Sequence, residues 1–418
     1  MKKVGRIAAL LLIMLTADAA LSFACTSVIV SGKITPDGRP IMWKNRDTSS
    51  DQNLMEYFPA EDGKYSFVAV VAAHATKYTS AWLGTNSEGF SIMNTLSYNV
   101  KRDTLETGGI GSNGSFMKKA LAVCVTVDDF EKFLNDQPKP WGVSANFGVM
   151  DAQGNAAYFE VNYHEYYKYD VNDPEVAPQG YLVRSNYSLN GRPIEEGKGH
   201  ARYMAADGMM QRAIAENSIT PEFFLNNLAR NYNNPLIGLD LRSEALNKAK
   251  TGGWAFDTDF ITRKTTTSSI VITGVRSGES PELVTLWTII SYPGTTVAIP
   301  VWEKGGQEHL PRMLKANRER VSPLADMGYK LKESIYCWEY DNNQDNHNRY
   351  FRWDKLWDQT GTGYLQQVVK LEKEVLSPYK KALEKWYKKG KIDLKELKRM
   401  NDKTDDKVDS FYKKQFGF

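Results

Sequence analysis

From residue 25 to about 302 the chain alternates short apolar runs with turn signals. Thr26–Ser31, Pro40–Lys44, Ser66–Ala73, Phe90–Leu96, Phe147–Met150, Ala156–Val161, Tyr181–Ser185, Ser268–Val275, Val284–Ile290 and Thr296–Val301 read as strands. Pro36-Asp37-Gly38, Ser87-Glu88-Gly89 and Asp151-Ala152-Gln153-Gly154 are typical of the turns between them. Helical spacing interrupts at about 114–135, 199–216 and 221–230. The last of these opens with Thr220-Pro221-Glu222, an N-cap, an N1 proline and an acidic first turn. Strands and helices are grouped rather than strictly alternating, which predicts a layered α+β fold over a doubly wound parallel sheet.

From 303 onward the strand signals vanish and Lys, Glu, Trp and Tyr dominate. Leu365, Val368, Val369, Val375, Leu376, Tyr379, Leu383 and Trp386 keep one helical face across Pro378, where a kink is expected. Leu394, Leu397, Val408 and Phe411 suggest a further helix. The reading is a main domain over 25–302 and a charged, mainly helical extension over 303–418 packed on it as a solvated layer without catalytic residues.

At the other end, Lys2, Lys3 and Arg6 precede the nine-residue apolar run Ile7–Leu15, and Ser22-Phe23-Ala24 supplies small residues at −3 and −1. Nine apolar residues are too few for a bilayer, which needs about 20. Residues 1–24 therefore read as a cleaved secretory signal, with Cys25 as the first mature residue. A lipoprotein signal is the rival, although Phe23 occupies the usually small −2 position. The expected location is secreted or periplasmic in a bacterium, or the outer surface if Cys25 carries lipid.

With 418 residues, 42% hydrophobic and 25% charged, the composition is that of a globular chain and excludes wholesale disorder or a polytopic membrane protein. The formal charge of +3 is no footprint for nucleic acid. No HExxH, CxxC pair or P-loop is present. Asp341–Asp345 begins like a calcium loop, but position six is Asn346 and position twelve Arg352. Of the three cysteines, Cys124 and Cys337 sit among apolar or aromatic neighbours and read as buried core. None of the five histidines falls in a triad motif.

Cys25 is different. As a first residue it carries both a thiol, with an ordinary pKa of about 8.5, and an α-amine of about 7.7–8.0, close to where a general base should lie. One residue then supplies nucleophile and base. Cys25-Thr26-Ser27-Val28-Ile29-Val30 followed one hairpin later by Lys44-Asn45-Arg46-Asp47 resembles the N-terminal-nucleophile hydrolases of the choloylglycine hydrolase, penicillin V acylase and acyl-CoA:6-aminopenicillanate acyltransferase superfamily. The resemblance covers about 25–302 and implies a four-layer αββα sandwich. It assigns Cys25 as nucleophile and Asp47 as the acid holding its α-amine. The family arginine beside the thiolate falls at Lys44, so Lys44 or Arg46 takes that role, a solvated hairpin end being the bland alternative. Asn94, after Asn86-Ser87-Glu88-Gly89, and Asn186, after Tyr181-Leu182-Val183-Arg184-Ser185, match oxyanion donors. Each has the alternative of a plain turn or strand asparagine. Arg202, in Gly199-His200-Ala201-Arg202-Tyr203, matches the second arginine. The implied activity is hydrolysis of linear, non-peptide amides in N-acylated small molecules of the bile salt, penicillin V or N-acyl amino acid type. The resemblance implies chemistry that requires neither a metal nor an organic cofactor. The alternatives are an acyltransferase or N-terminal-cysteine dipeptidase on the same fold, or a lipoprotein anchored at Cys25. Relatives often form homo-oligomers, which leaves that possibility open here.

Overall fold

The computed structural model describes residues 25–74, 77–100, 113–243, 253–337 and 349–418. The leader-like segment 1–24 and the calcium-loop-like run at 341–346 lie outside the described residues.

β1 (Thr26–Val30) and β2 (Ile41–Asp47) form the first hairpin, registered Thr26↔Asn45 through Val30↔Ile41. A seven-stranded antiparallel meander follows: β3 (Asn53–Phe58), β4 (Phe67–Ala72), β5 (Leu83–Asn86), β6 (Ser91–Leu96), β7 (Ala145–Met150), β8 (Ala156–Val161) and β9 (Tyr166–Asp170). β10 (Tyr181–Arg184) then returns to pair with β1. Two short ladders intervene, β11 (Asn233–Asn234) with β12 (Leu239–Asp240), and β13 (Trp254–Phe256) with β17 (Tyr350–Arg352). β14 (Thr266–Thr273), β15 (Thr285–Ile290) and β16 (Ile299–Val301) complete a six-stranded sheet of order β10-β1-β2-β14-β15-β16.

The two sheets stack. Ile29 and Met42 of one meet Met93, Met150 and Tyr158 of the other in a single apolar core. A Cβ at Gly148 would lie 3.0 Å from Ile29 and 2.8 Å from Met93, so glycine there permits the close approach. Strands buried on both faces explain why β1 and β15 read as continuous runs in the sequence, without alternation. Outside the seven-stranded sheet, α1 (Asn113–Val123) and α2 (Val127–Asp136) bury Phe116, Phe130 and Leu134 against Phe90, Phe147 and Phe159. Outside the six-stranded sheet, α3 (His200–Ala215) and the turn after Pro221 contribute Ala206, Met210, Phe224 and Leu228. The result is the expected four-layer α+β sandwich.

α4 (Pro323–Ile335), α5 (Tyr364–Lys389) and α6 (Leu394–Phe416) join the same core through Leu324, Val368, Trp386 and Val408. They are tied down by polar groups that look like solvated surface in the sequence. Glu372 of α5 takes both guanidinium ends of Arg230, at 2.8 and 2.6 Å, and the Ala298 amide at 2.6 Å, all buried. Breaking one side of such a pair leaves an uncompensated buried charge, a cost of about 3–5 kcal/mol. Asp405 of α6 caps the Arg312 and Met313 amides at 2.7 and 3.0 Å. α5 runs as one helix through Pro378.

Several expectations are corrected. The helix expected over 114–135 is two, because Thr126 caps α2 in a reciprocal box with Asp129 and ends α1 at Val123. The 221–230 helix passes after one turn into a π-helical stretch, Phe224–Leu228. Strands β3, β5, β9, β11, β12 and β13 are additions to the expected set, and β17 is a strand beyond residue 303. Cys337 is exposed, just past the end of α4, whereas Cys124 is buried with its thiol pushed up to about 12 by desolvation and by Asp129. All three thiols are unpaired. Among the described residues no helix is long and apolar enough to cross a membrane, and no group of three or more His, Cys, Asp or Glu side chains could hold a metal ion.

Candidate active site

The pleat of β2 sorts its four terminal residues. Lys44 and Arg46 face the other sheet, where Lys44 Nζ donates to Asn94 Oδ1 of β6 at 2.9 Å and to the Trp82 carbonyl at 3.1 Å. Arg46 Nη1 donates to Asn53 Oδ1 of β3 at 2.7 Å, and its guanidinium lies 4.8 Å from the Trp82 ring centroid. Both are buried, which removes the solvated-hairpin alternative. Asn45 faces the helices and donates to the Ala229 carbonyl at 3.2 Å.

Asp47, at the strand end, is buried too. Its carboxylate accepts from Thr266 Oγ1 at 2.6 Å and Arg263 Nε at 2.8 Å. Neither partner is signalled by the local sequence. β14 brings them, because its pairing with β2 sets Thr266 opposite Asp47.

Cys25, nearly buried, immediately precedes β1 beside the end of β2. Arg202 of α3 holds its main chain: Nη1 donates to the Cys25 carbonyl at 2.6 Å and to Thr26 Oγ1 at 2.9 Å. Nη2 donates to Asn186 Oδ1 at 2.9 Å and Nε to Asp259 Oδ1 at 3.0 Å. Asn186 in turn donates from Nδ2 to the Leu96 carbonyl at 2.7 Å. Arg202 and Asn186 therefore sit behind the cysteine, while Cys25, Lys44, Arg46, Asp47 and Asn94 line one cavity of about 250 Å³ with Ala72, Trp82 and Leu96. Its wall is mostly apolar. A larger concavity of about 530 Å³ beside Lys33, Ile34 and Gly180 has no nucleophile in its lining, so chemistry rather than size picks the site.

Four cations, Lys44, Arg46, Arg202 and Arg263, surround two carboxylates, Asp47 and Asp259, around one thiol. Desolvation lowers Lys44 to about 8, against an opposing pull from the Cys25 charge, and Arg46 adds to the lowering. Arg46 is lowered to about 10, again by burial first, with Cys25 and Asp47 opposing. Burial raises Asp47 above the usual carboxylate range in spite of Arg263 and Arg202.

An ammonium has three donors, and two of those on Lys44 are spent on Asn94 and Trp82. Lys44 holds its charge below about pH 8 and releases it above. Neutralising it removes a cation near the thiol and disfavours thiolate. The rate of Cys25 alkylation by iodoacetamide is therefore expected to reach its midpoint at a pH higher by about one unit in Lys44→Met, and to shift less in Arg46→Met, whose guanidinium is anchored on Asn53. Identical curves for wild type and both variants would show that neither cation serves the thiol.

Residues 34–207 match the model of the family described as acyl-coenzyme A:6-aminopenicillanic acid acyl-transferase. The matched segment includes Lys44, Asp47, Asn94, Asn186 and Arg202 and begins after Cys25. Among solved structures, the N-acylethanolamine-hydrolyzing acid amidase ortholog of Caenorhabditis elegans is 13% identical, covering 62% of this chain and 93% of its own, with a TM-score of 0.35. A mutant of the conjugated bile acid hydrolase from Clostridium perfringens is 12% identical over 66% of this chain and 92% of its own, TM-score 0.41. Penicillin V acylase from Agrobacterium tumefaciens is 12% identical over 66% and 85%, TM-score 0.35. No curated protein matches the chain. The family comparison thus falls within the span of the superfamily resemblance read from the sequence, over 34–207, which is less than half of the chain.

Proposed function

We propose that the protein is a secreted or periplasmic hydrolase of linear amide bonds in N-acylated small molecules, with Cys25 as nucleophile once the preceding 24 residues are removed. The observation that carries this reading is the cavity in which Cys25 meets Lys44, Arg46 and Asp47. In the proposed cycle the Cys25 α-amine, held by Asp47, takes the thiol proton while sulfur attacks the amide carbonyl carbon. The oxyanion draws on Asn94, whose Oδ1 is engaged by Lys44, leaving its Nδ2 to donate. Asn186, whose Oδ1 takes Arg202 and whose Nδ2 donates to the Leu96 carbonyl, lies outside the cavity lining and supports the wall behind the cysteine. The protonated amine returns its proton to the leaving nitrogen as the C–N bond breaks, giving a thioester. Water, deprotonated by the same amine, then releases the acid and restores the thiol. The mostly apolar cavity wall with Trp82 suits an apolar acyl group.

The family match favours one second reading, transfer of the acyl group from the thioester to an amine instead of to water. Product analysis with an added amine acceptor separates the two. The first test is the intact mass of the processed protein, expected to equal residues 25–418 with a free amine. A diacylglyceryl-cysteine, or a start elsewhere, would remove the proposed base and the mechanism with it, the former making Cys25 a lipid anchor.

A further inference from the structure

The segment between β13 and β14 has no role in the cycle above, yet it joins the two groups that flank Cys25. Asp257 organises it, accepting the amides of Asp259 at 2.9 Å and Phe260 at 3.2 Å on Oδ1. This Asx-type turn carries Asp259 at a φ of 75°, a left-handed conformation that aspartate, asparagine and glycine accept more readily than other residues. Non-glycine residues held there are a form of local strain that clusters at functional sites. The turn aims Asp259 Oδ1 at two guanidiniums at once, Arg202 Nε at 3.0 Å and Arg263 Nη1. Arg202 grips the Cys25 carbonyl and Arg263 grips Asp47. One carboxylate oxygen therefore bridges the cation behind the nucleophile and the cation behind the acid.

Charge accounting gives the bridge a purpose. Arg202 is buried, and burial first, then repulsion from Arg263, weakens its hold on its proton. Asp47 alone would leave this pair with an excess positive charge. Asp259 supplies the second anion, and although burial works against its charge, Arg202 and Arg263 hold it below the usual carboxylate range. The other charges bearing on the cluster are Asp257 and Arg349, with Lys44 and Arg46 across β2.

We infer that Asp259 is a positioning residue for Cys25, locking Arg202 against the cysteine carbonyl and neutralising the Arg202–Arg263 pair so that Asp47 keeps its negative charge free for the α-amine. The inference rests on the proposed use of Cys25 as nucleophile.

Asp259→Asn removes the charge, keeps the size and tolerates the left-handed backbone. Asp259→Gly removes the whole side chain while easing the backbone, and serves if the asparagine variant does not fold. In processed full-length protein, Cys25 alkylation by iodoacetamide is followed against pH by peptide mapping, with exposed Cys337 as internal control. An extra net positive charge stabilises thiolate, so the Cys25 midpoint is expected about 0.5 pH unit lower in both variants, roughly a threefold gain in rate on the rising limb, while Cys337 is unchanged. A lower melting temperature with an unmoved Cys25 midpoint would reduce Asp259 to a structural contact and overturn the inference. If wild-type Cys25 reacts no faster than Cys337 at neutral pH, the nucleophile reading itself has failed, a result read from the wild-type protein alone.

Discussion

Cys25→Ala is expected to lower amide hydrolysis by at least about 10³-fold while leaving the fold intact. The reason is an asymmetry between what the sulfur does for structure and what it does for chemistry. Cys25 lies before β1, not inside the sheet, and its position is fixed through its carbonyl by Arg202, a contact that alanine retains. Losing one sulfur atom at a cavity edge costs about 1 kcal/mol. Losing the nucleophile removes the thioester route altogether. Cys25→Ser is expected to fail nearly as badly, since a hydroxyl is far harder to deprotonate than a thiol. Initial rates on penicillin V and on N-acyl amino acids, alongside a thermal melt, check this. Cys124→Ala provides the inverse control. Its thiol is buried and pushed up to about 12, so that variant should lose stability and keep its rate. Hydrolysis within tenfold of wild type in Cys25→Ala would end the nucleophile assignment.

The layers were legible because they obey local rules, whereas the cavity-lining Lys44, Arg46, Asp47 and Asn94 were read from the family resemblance. β1, β4, β6 and β8 are apolar runs between turns, and the alternation Lys44, Asn45, Arg46, Asp47 sorts two cations from two other polar groups by the period of a strand. The rest depends on contacts that no local pattern records. Thr266 and Arg263 reach Asp47 only because β14 lies next to β2, more than 200 residues away in sequence. Asp259 belongs with them, and its one local sign is the Asp257-Thr258-Asp259 turn chemistry. β9 escaped because Tyr166–Asp170, an edge strand, is half exposed and lacks an apolar face, and β5 because Gly84 interrupts a four-residue strand. That glycine is dictated by packing, since a Cβ there would meet the Val68 carbonyl at 2.4 Å. In the C-terminal helices Glu372 and Asp405 look like members of a solvated charged face. Only the buried Arg230 and the Arg312 and Met313 amides show what they hold.

Asp47→Asn carries the second large effect. Asparagine matches the shape of aspartate, so the substitution isolates charge. In wild type one carboxylate oxygen accepts from Thr266 and the other from Arg263, and each oxygen keeps a further lone pair, which the proposed cycle assigns to the Cys25 α-amine. The amide of asparagine must turn an NH₂ toward one of these donors. The threonine hydroxyl can rotate and accept it, so Arg263 can keep its acceptor. What cannot be recovered is the negative charge that, in the proposed cycle, holds the amine and, through it, the proton in transit. Arg202 and Arg263 then keep Asp259, with Asp257 acting on Arg263, and the surplus positive charge makes the amine a weaker base. The expected loss in kcat is about 10²–10⁴-fold, the range for removing general acid–base assistance. Cys25 should remain open to direct alkylation, since the same surplus favours thiolate. Loss of turnover with retained, even faster, alkylation is a combination that general unfolding cannot produce. Should turnover fall less than threefold while the melting temperature drops, Asp47 would be only a counter-ion to Arg263 and the base would have to be sought elsewhere, Lys44 first.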